Sequence, residues 1–79
     1  MQAKNVEIVA TVADIGRLAR EKRKSQQATI ELLSNYSNLS PRFISEFERG
    51  KETAEIGKVL KALHSLGLDL AIVPRGQHD

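Results

Sequence analysis

The chain has no cysteine, no tryptophan, two prolines and three aromatic residues among its 79 positions. Without cysteine there is no disulfide framework, no thiol nucleophile and no cysteine-ligated zinc. Apolar runs extend only a few residues, far short of a membrane span. The opening Met1-Gln2-Ala3-Lys4-Asn5 lacks an apolar h-region, so no secretory signal and a cytoplasmic location are expected. Charge of one sign is also scarce: 12 Lys+Arg against 10 Asp+Glu leave a net +2. A chain this short buries only about 63% of its unfolded surface, which is marginal for a lone domain and favours a second subunit.

The charges are unevenly placed. Arg17, Arg20, Lys22, Arg23 and Lys24 crowd one short stretch, opposed by Glu21 alone. Such a stripe is either a nucleic-acid footprint or a solvated helix face. His64 and His78 stand apart with no i, i+4 partner, so no metal site is expected. No Ser/His/Asp set, glycine-rich phosphate loop or carboxylate pair occurs, so neither enzyme activity nor a cofactor is expected.

Local signals predict mostly helix. Val6–Ala10 is β-branched and partly alternating, a short strand or extended arm. Thr11 with Asp14 makes a variant capping box for a first helix from Val12 to about Lys24. Its expected apolar stripe is Ile15, Leu18 and Ala19, completed by the Lys22 stem. Thr29 caps a short helix from Ile30 to about Tyr36, burying Leu32 and Leu33. Asn38 supplies a left-handed turn. Ser40-Pro41 starts a third helix that ends near Arg49 before Gly50. Thr53 is the expected cap of a fourth, with Ile56, Val59, Leu60, Leu63 and Leu66 on one face. After Gly67, Leu68–Val73 reads as a strand closed by Pro74. An orphan strand invites pairing with a second copy, so Leu68, Leu70 and Ile72 are the candidate dimer interface. The organisation is thus an arm at 1–10, a helical domain at 11–67, a strand at 68–74 and a tail at 75–79.

Residues 30–49 have helix-turn-helix spacing. Leu33 anchors the first helix, Ser34 is small where the helices cross, Leu39 plugs the turn, and Ile44 and Phe47 seat the second helix. Ser40-Pro41-Arg42-Phe43-Ile44-Ser45-Glu46-Phe47-Glu48-Arg49-Gly50-Lys51 resembles the recognition helix and following turn of the XRE/Cro-type repressors. Glu52–Leu60 with Leu66-Gly67-Leu68-Asp69-Leu70, and Ala13-Asp14-Ile15-Gly16 before the basic helix, resemble the HipB-like antitoxin branch. The resemblance spans roughly Val6 to Gly76. It implies a lambda-repressor-like domain of about four helices, dimeric through C-terminal strands. It also implies operator binding and a HipA-like serine/threonine kinase toxin as partner. A stand-alone XRE-type regulator, or an interaction module with weak DNA binding, remains an alternative. The pattern departs before and within the second helix, where Ala28-Thr29-Ile30 replaces the usual Leu-Thr-Gln and removes a phosphate-clamping amide.

A recognition helix turns its N-terminal residues toward base edges in the major groove. The candidates are Ser40, Pro41, Arg42, Ser45 and Glu46. Arg42 can fork onto guanine. Glu46 either accepts from cytosine or pairs with Arg42 at i+4. Gln26, Thr29, Arg49 and Lys51 are the expected phosphate contacts. Arg23 and Glu48 match a family ion pair between the first and third helices. Phe43 packs on Phe47 or presents an edge to DNA, and Tyr36 faces solvent or a partner.

Overall fold

The computed structural model describes residues 6–76. Four helices follow one another: α1 (Val12–Ser25), α2 (Ile30–Ser37), α3 (Pro41–Glu48) and α4 (Ile56–Ser65). The starts of α1, α2 and α3 and the turn between α2 and α3 have local causes. Thr11 accepts from the Asp14 N–H while the Asp14 carboxylate accepts from Thr11 and Ala10, a complete capping box. Thr29 and Ser40 accept from the N–H groups of Leu32 and Phe43, and Pro41 opens α3. Asn38 takes φ 60°, the left-handed turn between α2 and α3.

The core lies where α1 and α4 close over the α2–α3 pair. It consists of Ala19, Leu33, Leu39, Ile44, Phe47, Val59, Ala62, Leu63 and Leu66. All five helix-turn-helix anchors hold: Leu33, Leu39, Ile44 and Phe47 are buried, and the Ser34 hydroxyl donates to the Leu39 carbonyl, pinning the turn. Gly16 sits where α1 meets α3. A Cβ there would collide with the Phe47 carbonyl oxygen, so only glycine permits this approach.

Several expectations are corrected. On α1 Ala19 is buried and Ile15 packs partly on the core, as expected, but Gly16 and Arg23 complete the buried face and Lys22 is exposed. Ile15, Leu18 and Lys22 also line an open groove. Leu32 is 41% exposed because its neighbour Leu33 takes the inward position and adjacent helical side chains differ by about 100°. Thr53 does not cap α4. The chain turns at 52–53, half-buries Ala54 and starts α4 from Glu55, which has no side-chain cap and pairs with Lys58. Ile56 is 61% exposed, and Ala62 takes a core position.

The two terminal segments are neither helix nor strand. Neither residues 6–10 nor 68–73 form a strand within the single chain, because a ladder needs a partner and neither meets one in register. Leu68 packs partly on the core, whereas Leu70 and Val73 are exposed and Ile72 is 97% exposed. Together with Val6, Ile8, Ile15, Leu18 and Leu63 they wall an apolar groove of about 1090 Å³. No helix among the described residues is long and apolar enough to cross a membrane.

Candidate nucleic-acid interface

The α3 helix presents Arg42, Ser45, Glu46 and Arg49 at i, i+3, i+4 and i+7, opposite Ile44 and Phe47. A helix with one sealed and one polar face can be inserted into a groove without disturbing the core. Eight residues make α3 about 12 Å long.

Glu46 organises this face. Its carboxylate accepts from Arg42 Nε at 3.2 Å and from Lys51 Nζ at 3.1 Å. Those bonds, Lys51 first and then Arg42, hold its carboxyl below the ordinary range. The i+4 pairing with Arg42 is therefore present. It steadies an arginine whose side chain is otherwise in solvent. Ser40 is exposed, and its oxygen is spent on the cap. Phe43 stacks on Phe47 with centroids 6.1 Å apart, and Lys58 covers its ring at 5.8 Å, so Phe43 belongs to the packing.

Behind α3 lies the ion pair. Arg23 Nε donates to Glu48 Oε2 at 2.7 Å and Nη2 donates to Oε1 at 2.9 Å. The remaining fork, Nη1, donates to the Ala28 carbonyl at 2.8 Å. Both residues are 8% exposed. The Glu48 hydrogen bonds raise the Arg23 pKa above its ordinary value, outweighing the desolvation that opposes them. This clamp fixes α1, the α1–α2 loop and α3 in one arrangement.

Of the expected phosphate contacts, Thr29 stands at the α2 N-terminus, its oxygen accepting from Leu32 and its hydroxyl hydrogen still free to donate. Arg49 caps the α3 C-terminus and is exposed, and Lys51 follows it. Gln26 is turned the other way, its amide donating to the Leu66 carbonyl at 2.8 Å and tying the ends of α1 and α4 together. Ile30, where the family has glutamine, is half-buried against the core. Tyr36 and His64 are exposed, while His78 lies outside the described residues. No cluster of three or more His, Cys, Asp or Glu among the described residues could hold a metal ion.

Two features escaped sequence reasoning. The contact role of Gly16 was signalled only by its cost: mid-helix glycine gives up about 1 kcal/mol relative to alanine, so its presence implies a close approach. Arg20, one of five neighbouring bases, lies beside Arg49 of α3, a juxtaposition that no local pattern encodes.

A buried hydrophobic seat, a pinned turn and a polar outer helix face define a helix-turn-helix domain. No family model matches the chain. It is 42% identical over 69 residues to y4mF of Sinorhizobium fredii, an uncharacterised HTH-type transcriptional regulator, covering 87% of this chain and 91% of that one. Among solved structures it superposes on HipB of the HipA-HipB-O2-O3 complex with a TM-score of 0.82 at 17% identity, spanning 89% of this chain and 99% of that one. HipB of the HipB-O4 20mer complex gives the same values. The clp gene regulator ClgR of Corynebacterium glutamicum matches with a TM-score of 0.65 at 27% identity, over 76% of this chain and 64% of that one. The chain belongs to the HTH-type transcriptional regulators, and its fold is that of HipB.

Proposed function

We propose that the protein is a dimeric, sequence-specific repressor of double-stranded DNA that acts in the cytoplasm on its own operon. The observation that carries this is the α3 face, where Arg42 stands outward and Ser45 lies half-buried beside it on a helix clamped from behind by Arg23–Glu48. Arg42 reads a base edge, with Ser40, Pro41, Ser45 and Glu46 beside it, while Thr29, Arg49 and Lys51 hold phosphates. HipB, the fold neighbour, is solved in complex with O4 and with O2-O3, which supports a DNA-binding reading of this fold. The apolar groove between the terminal segments supports dimerisation through Leu68, Leu70 and Ile72.

The same reading assigns the protein an antitoxin role with a HipA-like serine/threonine kinase partner, supported by the HipA-HipB complex among its fold neighbours. The stand-alone regulator reading is favoured instead by the S. fredii relative, named only as a transcriptional regulator. A neighbouring kinase-like reading frame whose product co-purifies with the protein decides for the antitoxin.

Binding to the DNA immediately upstream of the gene is the test, titrated at two salt concentrations with scrambled DNA as control. A repressor gripping about 6–10 phosphates loses roughly 10³–10⁵ in affinity between 50 and 200 mM salt. Equal, weak binding to both DNAs defeats the repressor reading and leaves an interaction module.

A further inference from the structure

A cleft of about 280 Å³ opens between α1, the start of α2 and the end of α3, lined by Arg20, Arg23, Ile30, Ser45, Glu48 and Arg49. Its charges do not cancel. Arg23 and Glu48 neutralise each other in the floor. Arg20 and Arg49 form no ion pair among the described residues, unlike Arg17 with Glu21 and Arg42 with Glu46. Two uncompensated guanidiniums, from different helices, therefore face one small polar space beside the half-buried Ser45.

We propose that this cleft is a binding site for a DNA backbone phosphate, with Arg20 and Arg49 as its two arms. Arginine presents a planar fork suited to phosphate oxygens. Ile30, which also lines the cleft, has no side-chain donor, so the contacts to that phosphate fall to Arg20 and Arg49. The cleft adjoins the α3 face at Ser45 and Arg49, so a strand seated in it runs past the base-reading residues. Ile30 leaves α2 without a side-chain donor at its first position, while Arg20 brings a guanidinium to the cleft from α1. The assignment rests on the DNA-binding reading above.

The test is the slope of log affinity against log salt, on upstream and scrambled DNA, for Arg20→Gln, Arg20→Lys and Lys61→Gln. Lys61 is exposed on α4 and lines neither the cleft nor the groove, so it controls for net charge. Circular dichroism and sedimentation confirm that each variant is folded and associated as the parent is. Arg20→Gln is expected to lower affinity for both DNAs alike and to reduce the slope by about 0.9, the release from one phosphate. Arg20→Lys keeps the slope and Lys61→Gln leaves it at the parent value. An Arg20→Gln slope equal to the parent's, on a parent that binds steeply, overturns the assignment while the repressor reading stands. A parent with no salt-dependent binding overturns both. Titration with inorganic phosphate alone, followed at the arginine Nε–H resonances, separates the sources. If free phosphate moves Arg20 and Arg49 while Arg20→Gln spares the DNA slope, the cleft is a small-anion site and the assignment fails.

Discussion

Removing the carboxylate of Glu48 strands a buried charge. Arg23 uses three donors, two on Glu48 at 2.7 and 2.9 Å and one on the Ala28 carbonyl at 2.8 Å. In Glu48→Ala the guanidinium stays charged, buried and without its counter-ion. Breaking one side of such a pair costs about 3–5 kcal/mol, whereas an exposed pair is worth about 0–1. A 79-residue chain has a total stability of roughly 4–12 kcal/mol. Glu48→Ala is thus expected to consume a large share of it and to shift the urea midpoint accordingly. The double variant Arg23→Met/Glu48→Leu removes both charges and restores apolar packing between α1 and α3. It is expected to recover at least about 2 kcal/mol of that loss, with Ala28, half-buried, turning its carbonyl to water. The assay is urea unfolding by circular dichroism at one fixed protein concentration, since association adds to apparent stability. A loss under about 1 kcal/mol in Glu48→Ala, or single losses that simply add in the double variant, refutes the reasoning.

Gly16→Ala drives a Cβ into the Phe47 backbone and is expected to lose roughly 1–3 kcal/mol despite alanine's advantage in helices; an unchanged melting temperature contradicts this contact. Arg42→Ala is expected to cost about 1–3 kcal/mol and to relax preference at one base pair per half-site, whereas uniform weakening on every sequence makes Arg42 a phosphate contact. The Asp14 carboxyl is held below its ordinary value, chiefly by the N–H groups of Ala10 and Thr11. A depressed folded pKa stabilises above the unfolded value and is lost as pH falls through the folded one. Stability should therefore decline below about pH 4, and less steeply in Asp14→Asn; identical acid limbs count against the cap's role. Leu70→Lys or Ile72→Lys puts charge on exposed apolar positions of the groove and should yield monomers by sedimentation; an unchanged dimer moves the interface elsewhere.

The short-range features of the fold were legible along the chain. Thr11 with Asp14, Thr29, Asn38, and Ser40 with Pro41 act within a few residues of themselves, so their chemistry decides caps and turns before any packing exists. The helix-turn-helix anchors follow for the same reason: Leu33, Leu39, Ile44 and Phe47 lie within one compact stretch whose spacing sets their faces. The Arg23–Glu48 pair was anticipated only through family resemblance, since it joins residues 25 positions apart. Sequence periodicity is blind to what stands opposite a helix. One residue turns the α1 stripe by about 100°, and only the place of α3 selects Gly16, Ala19 and Arg23 over Leu18 and Lys22. The same geometry admits Ala62, turns Ile56 out and denies Thr53 its cap. Local chemistry therefore determined where α1, α2 and α3 begin and where the chain turns between α2 and α3. Only the packing of α1 against α3 decided which faces are buried and brought Arg20 and Arg49 to one cleft, because convergence of side chains from separate helices depends on contacts no single segment contains.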